Sequence, residues 1–389
     1  MKNNYCTLPF NSISIGTGGN IRPCCNTHAP FNKHKIVNTD YDSIINTKEI
    51  VKLRKQFLKS ERPSACERCW KMEAVGNKSF RQISNNDEFY GLHTNPPKSK
   101  NITIEDIRYI NLELGNICNL ACRMCSPMSS SLIAKQLTQL GEYNKSIEIG
   151  FDREVKNKII KLFQDAVNLT RVYMIGGEPL YNDFHDEILE VLLDHPNKEN
   201  ICIHYNTNLQ GTKFDKYVEA WKQFKLIDMQ VSIDGSNETY EYIRWPGKWN
   251  KLVKNLERIL EIDNFKVGAA ITVQALNAHN LPTLCETLFE LGPIPVFFIP
   301  ITGLNQLYIA PNSIIEKAID ELKSVDGYYK SYKQNLINMY TDALQDPSEQ
   351  EVRAFFHRQK GYDTLRNQNL FESLPYMKEV AEKWNVEIW

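Results

Sequence analysis

The chain has no long apolar run. No stretch of about 18 apolar residues is present to span a bilayer, and its first residues, MKNNYCTLPF, lack the apolar core of a secretory leader. A cytoplasmic protein with no membrane partner is the expectation. An excess of charge is missing as well: 46 Lys and Arg against 47 Asp and Glu leave a formal charge of -1. That balance argues against a nucleic-acid partner, although a local basic groove is compatible with it. With 389 residues, 42% hydrophobic and 24% charged, the chain is ordinary for a globular protein and long enough for two or three domains. Cysteine is absent after Cys285, and eight of the ten cysteines precede residue 126. In a reducing compartment such clustering favours metal ligation over disulfides. Cys202 and Cys285 stand alone in apolar surroundings and read as core thiols.

What is present centres on G-N-I-C-N-L-A-C-R-M-C-S-P, Gly115 to Pro127. Cys118, Cys122 and Cys125 are separated by three and then two residues. Three thiolates on one short loop can hold three corners of an iron–sulfur cube. No fourth thiolate lies nearby, which leaves one iron open to an outside ligand. Zinc and incidental cysteines remain alternatives, but structural zinc usually takes four protein ligands. The loop follows an alternating apolar strand, Ile107 to Leu114, and precedes a helix-compatible segment, Ser129 to Leu140, so it sits inside a β–α unit.

A second group lies nearer the N-terminus. Ser12–Ile15 alternates like a strand, Gly16–Asn20 is turn-forming, and Asn20–Arg22 leads into Pro23-Cys24-Cys25. Helical spacing follows over Tyr41–Ser60, then the CxxC of Cys66 and Cys69. Cys6, Cys24, Cys66 and Cys69 supply four thiolates for one site, a zinc knuckle or an iron–sulfur cluster. Cys25 is an alternative to Cys24. The stretch Glu73–Arg81 fits either the approach to that site or a polar surface loop, and Gly91–Asn101, with Pro96 and Pro97, reads as a linker.

From residue 102 to 305 apolar strand-like runs alternate with amphipathic helix-like ones. The strands are Tyr109–Leu114, Arg171–Ile175, Ile201–Tyr205, Ile227–Ile233, Val267–Val273 and Val296–Ile301. The helices between them include Phe184–Leu193, Lys213–Phe224, Trp249–Ile262 and Leu281–Leu291. Six β–α repeats imply a parallel sheet with right-handed crossovers but are too few for an eight-stranded barrel. Ligands in such folds bind at the carboxyl ends of the strands. The polar groups there are Gly176-Gly177-Glu178-Pro179, Tyr205-Asn206-Thr207-Asn208, Ser232-Ile233-Asp234-Gly235, Arg244, and Gln274 with Asn277. Arg244 can grip a carboxylate bidentately or serve as a salt-bridged surface residue. Residues after 306 read as helices over Ile314–Leu322, Tyr332–Leu344, Glu349–Phe356 and Tyr376–Trp384, with a turn at Lys360-Gly361. Phe355, Phe356, Tyr376 and Trp384 read as packing residues. Asp363, Arg366 and Asn367 fit either a substrate contact or a solvated helix face.

CxxxCxxC after a first strand, with Met124 just before the last cysteine, resembles the radical S-adenosylmethionine (SAM) superfamily. The resemblance covers residues 102 to 303. It implies an α/β fold, a partial (β/α)6 radical SAM barrel. It also implies that Cys118, Cys122 and Cys125 hold a [4Fe–4S] cluster whose fourth iron binds SAM. Glu178 with Gly176 and Gly177 then corresponds to the motif that holds the SAM amino group. Ser232 falls near the ribose, Arg244, Met124 and Gln274 become further SAM contacts, and Phe298-Ile299-Pro300 flanks the adenine.

The N-terminal cysteines resemble SPASM/Twitch auxiliary domains, in which Cys, a spacer, Gly, four residues and Cys precede a CxxC. Cys6, Gly19, Cys24 and Cys66/Cys69 fit this. Val75 and Ser79 stand where a full SPASM domain continues with cysteine, so one auxiliary [4Fe–4S] cluster is implied. The module precedes the barrel, as in radical SAM proteins with an N-terminal twitch domain. The implied division is 1–104 auxiliary domain, 105–305 radical SAM core and 306–389 helical extension. The implied activity is reductive SAM cleavage, giving a 5′-deoxyadenosyl radical that removes a substrate hydrogen. A flavodoxin- or ferredoxin-type electron donor and a peptide or protein substrate go with it. A small-molecule or nucleic-acid substrate, and a non-catalytic zinc-stabilised binding protein, are the alternatives.

Overall fold

The computed structural model describes residues 4–27, 31, 35–36, 40–85, 99–324 and 330–389. Most of the expected linker, residues 91–98, lies outside these. Among the described residues eight strands are present: β1 Ser12–Ile15, β2 Ile21–Arg22, β3 Tyr109–Glu113, β4 Arg171–Ile175, β5 Cys202–Thr207, β6 Leu226–Ser232, β7 Phe265–Val273 and β8 Val296–Pro300. They form a sheet in the order β2-β1-β3-β4-β5-β6-β7-β8. The last six stand side by side in chain order, the arrangement that successive right-handed β–α crossovers produce. These are the six strands expected from the apolar runs.

The N-terminal hairpin adds two more. β1 pairs antiparallel with β2 and parallel with β3, from Ser12 beside Tyr109 to Ile15 beside Leu112. This pairing joins Ser14 to Asn111, 97 positions apart. Non-local pairing of this kind has no signature in sequence periodicity.

Contacts divide the chain into two compact units. The first comprises residues 1–117, 148–206 and 213–228, the second residues 118–147, 207–212 and 229–389. In the first, the two faces of the sheet differ. Ile13, Ile110, Val172 and Ile203 share one register and are buried. The next register, Ser14, Asn111, Tyr173 and His204, projects to the other face. A sheet with helices on both faces shows near-continuous apolar strands. Here one face is polar, with Ser14 Oγ donating to Asn111 Oδ1 at 2.9 Å and His204 paired to Asp228 at 2.8 Å.

Local boundaries differ from expectation at three helices. The segment expected as one helix over Tyr41–Ser60 is two, Tyr41–Ile45 and Lys48–Leu58, because Thr47 breaks it to cap the second, accepting from Ile50 N–H. A helix over Arg153–Asp165, capped by Asp152, was not anticipated. In the second unit, helix Glu349–Arg366 runs straight through the expected Lys360-Gly361 turn. Gly361 is there for packing: a Cβ on it would lie 2.9 Å from Leu140 Cδ1. Among the described residues no helix is long and apolar enough to cross a membrane.

Candidate metal centres

The CxxxCxxC loop belongs to the second unit. Cys118 and Cys122 are buried with Leu120, and Met124 and Cys125 pack against them. Cys125 also joins an apolar cluster of Ala121, Ile133, Leu137, Tyr362 and Trp245. Two backbone bonds hold the loop: Ala121 N–H donates to Trp245 O at 2.7 Å, and Arg123 N–H to Ile243 O at 2.9 Å. Cys118 Sγ accepts from Leu120 N–H at 3.4 Å and from Asn208 Nδ2 at 3.9 Å. The Cys125 thiol hydrogen-bonds Cys122, which lowers the Cys122 pKa and raises that of Cys125. A sulfur that accepts N–H bonds, as that of Cys118 does, suits a thiolate holding a metal cluster.

Two charged pairs brace this loop. Arg244 Nη1 lies 3.7 Å from Cys122 Sγ, and its Nη2 lies 2.6 Å from the Asp234 carboxylate. Asp234 is fully buried and also accepts from Thr272 N–H at 2.6 Å. Burial pushes the Asp234 carboxyl upward, and the Arg244 guanidinium opposes this. Ser232, the expected ribose neighbour in S-I-D-G, is half-buried at the end of β6. Asp234, two residues on, is the residue joined to Arg244. Gln274 is fully buried, and Asn305 Nδ2 donates to its Oε1 at 3.3 Å and to Arg123 O at 3.2 Å.

Arg123 escaped the sequence reading because a lone Arg between two ligand-type residues looks like a surface charge. It is buried, with Nη2 2.5 Å from Asp363, Nη1 donating to Gln359 at 2.8 Å and Nε to Tyr242 O at 3.0 Å. Its guanidinium lies 3.6 Å from the Tyr242 ring centroid. Asp363 and Arg366 are therefore neither a solvated face nor a turn. Both are buried.

The Gly-Gly-Glu stretch belongs to the first unit. Gly176 and Gly177 have φ of +98 and +53. A Cβ on Gly177 would lie 2.1 Å from Ile117 O. These glycines answer to close backbone packing just before the cysteine loop, in addition to any ligand. Glu178 N–H donates to Ile117 O at 2.9 Å. Its buried carboxylate accepts from Leu180 N–H at 3.1 Å.

The N-terminal cysteines form a separate site in the same unit. Cys6, Cys24, Cys66 and Cys69 line one cavity with Leu8, Pro9, Phe57 and Arg81. Cys25 is not among its walls; Arg22 donates to its carbonyl at 3.5 Å. Cys66 closes a short 3-10 turn and Cys69 lies in the first turn of helix Glu67–Ala74, so the CxxC spacing puts both on one side. Burial pushes the Cys66 thiol up to about 12 and raises Cys6 further. Four thiols enclosed in an apolar cavity suit a metal group that takes them as thiolates. Arg81 also explains the stretch Glu73–Arg81: it pairs with Glu73 at 2.9 Å and donates to Tyr5 O at 2.6 Å, fastening one wall of the cavity. All ten cysteines are free. Among the described residues no three His, Cys, Asp or Glu side chains gather as a site for a single metal ion.

Two segments of the chain match the models of known families. Residues 112–288 match the model of the radical SAM superfamily, and residues 6–70 match that of the SPASM iron–sulfur cluster-binding domain. GTP 3',8-cyclase of Vibrio vulnificus (strain YJ016) is 24% identical over 203 residues, 51% of this chain and 55% of that protein. GTP 3',8-cyclase of Synechocystis sp. is 28% identical over 182 residues, 46% and 50% of the two chains. The chain spans about half the length of the curated relatives it matches. A solved structure of anSMEcpe with bound AdoMet shares 16% identity, covering 59% of this chain and 61% of that one, with a TM-score of 0.40. The cofactors of the two matched families are a [4Fe–4S] cluster with SAM and an auxiliary iron–sulfur cluster. Residues 112–288 are therefore similar to the radical SAM superfamily, and residues 6–70, N-terminal to them, to the SPASM iron–sulfur cluster-binding domain.

Proposed function

We propose that the chain is an enzyme that cleaves SAM and removes a hydrogen atom from a peptide or protein substrate. The observation that carries this is the contrast between the two cysteine sets. Three cysteines share one loop, with no fourth in its apolar clusters, while four line a separate cavity. The first set suits a cluster with one open iron, the second a fully ligated one. Cys118, Cys122 and Cys125 would hold a [4Fe–4S] cluster, which would supply the one-electron chemistry for reductive SAM cleavage.

The chain's own residues do the rest. Arg244 and Asp234 brace Cys122, Met124 packs on the ligand loop, and Glu178 with Gly176 and Gly177 offers an acceptor for the SAM amino group. Ser232 and Gln274 complete the assigned SAM contacts. Cys6, Cys24, Cys66 and Cys69 hold the auxiliary cluster. The division 1–104, 105–305 and 306–389, a reducing cytoplasmic setting and a flavodoxin- or ferredoxin-type donor belong to the same reading.

A second substrate reading, a small nucleotide, is favoured by the GTP 3',8-cyclase relatives. The test is anaerobic reconstitution, iron counting, and reaction with SAM and dithionite followed for 5′-deoxyadenosine. About eight irons are expected for two cubes. Replacing Cys118, Cys122 and Cys125 with Ala abolishes cleavage and leaves about half the iron. Cleavage that survives this change, or a colourless zinc-loaded protein, overturns the assignment. Added GTP that stimulates 5′-deoxyadenosine formation, where a peptide library does not, replaces the peptide reading with the nucleotide one.

A further inference from the structure

Three guanidiniums lie buried around the CxxxCxxC loop, and they are not alike. Arg244 has Asp234 as its counterion, and Arg123 has Asp363. Asp363 is already saturated, accepting also from Tyr242 Oη at 3.1 Å, Leu370 N–H at 2.7 Å and Trp389 Nε1 at 3.1 Å. Arg366 has no carboxylate within 4 Å among the described residues. Its acceptor is a neutral amide: Nε and Nη2 donate to Gln136 Oε1 at 3.3 and 2.7 Å. Its Nη1 is buried with no hydrogen-bond partner, and the residue is only 6% exposed. The guanidinium carbon lies 4.3 Å from the Tyr362 ring centroid and 5.4 Å from that of Trp245. Both rings pack in the apolar cluster that contains Ala121 and Cys125.

An unpaired buried charge is costly and calls for an opposite charge nearby. Among the described residues no carboxylate fills this role. The chemistry of the ligand loop does: a doubly positive cube held by three thiolates carries one net negative charge, and reduction makes it two. We propose that Arg366 is a charge-positioning residue for the three-cysteine site. Its uncompensated guanidinium is the counterion of the cluster held by Cys118, Cys122 and Cys125, so the C-terminal segment sets the potential at which that cluster takes its electron. The inference rests on the radical SAM reading of this site. Burial and the nearby Arg123 pull the Arg366 pKa down to about 9, while a negative Cys122 acts to restore it. That direction agrees with a cation waiting for an anion. Net charge near a cluster is one of the main controls of its potential, and reduction, which adds negative charge, is the step a nearby cation favours.

The experiment is an EPR-monitored redox titration of the reconstituted full chain, with iron counted per chain. The cluster whose signal changes on adding SAM is the one followed. In R366Q its midpoint falls by at least tenfold in the reduction equilibrium, about 59 mV for one electron. R366K keeps the charge and stays near wild type. Q136E gives Arg366 a carboxylate while leaving it in place, and also lowers the midpoint. The midpoint of the SAM-insensitive cluster does not move. A wild-type midpoint in iron-replete R366Q overturns the proposal. So does an R366K shift as large as that of R366Q, which would mean packing rather than charge. If R366Q fails to assemble, an unshifted Q136E overturns it alone. A wild-type protein with no SAM-responsive cluster overturns the functional reading beneath it.

Discussion

Gly177 shows how much a single missing methyl group can matter. Its φ is +53, and a Cβ would stand 2.1 Å from the Ile117 carbonyl oxygen. Gly141, with φ +75, has nothing within 4 Å of the same position. Gly141→Ala meets only the backbone penalty, about 1 kcal/mol. Gly177→Ala adds a clash with main chain that cannot move aside, and a loss of about 2–3 kcal/mol is expected. Urea denaturation of the two variants separates the cases, and equal losses would mean that the loop yields. The need for glycine was visible in the motif, but its cause was not. A ligand's close approach was the natural reading, and only the fold puts Ile117 O there. Asp234 and Arg123 teach the same lesson with charge. Their residue types were legible, whereas their partners, Arg244 and Asp363, lie 10 and 240 positions away.

Helix Glu349–Arg366 departs from what its sequence suggests. The lysine–glycine pair in its middle looked like a turn, and the charged residues beyond looked solvated. The helix continues because Ser348 and Glu351 form a capping box at its start and because Gly361 fits against Leu140. Its buried face then carries Gln359, Asp363 and Arg366 inward. Asp363→Ala leaves Arg123 buried without its counterion. A loss of about 3–5 kcal/mol is expected in thermal or urea unfolding. Asp363→Asn retains hydrogen-bonding capacity and should cost less. If both variants match wild type, the buried pair has no part in holding this helix.

For the whole molecule, three histidines set an acid limit, two of them buried and the third, His279, partly buried. His185, His195 and His279 all have pKa values lowered by burial. That of His279 falls from 6.5 to about 4, with Lys317 adding to the effect. Its Nδ1 has no partner, and its Nε2 lies 3.3 Å from Thr239 Oγ1. An unfolded chain binds protons at these sites at a pH where the folded one does not, so folding stability falls as pH drops from about 6.5 to about 4. Above 6.5 the contribution is fully present. His279 alone accounts for something on the order of 3 kcal/mol across that window. Urea midpoints at pH 7.5, 6 and 5 should decline in turn, and His279→Gln should flatten the decline. An identical decline in that variant would place the acid sensitivity elsewhere.

The sequence by itself determined the six core strands, the two cysteine sets and the family they resemble. Each of these is written locally, as an alternation of period two, a ligand spacing or a short turn motif. The tertiary structure decided that β1 joins the main sheet, that Cys24 rather than Cys25 lines the four-cysteine cavity, and that, among the described residues, three buried arginines near the CxxxCxxC loop have two carboxylates between them. These are pairings between distant residues. Burial and partnership, which decide whether a charge is a solvated ornament or a counterion, are not properties of a residue's neighbours in the chain.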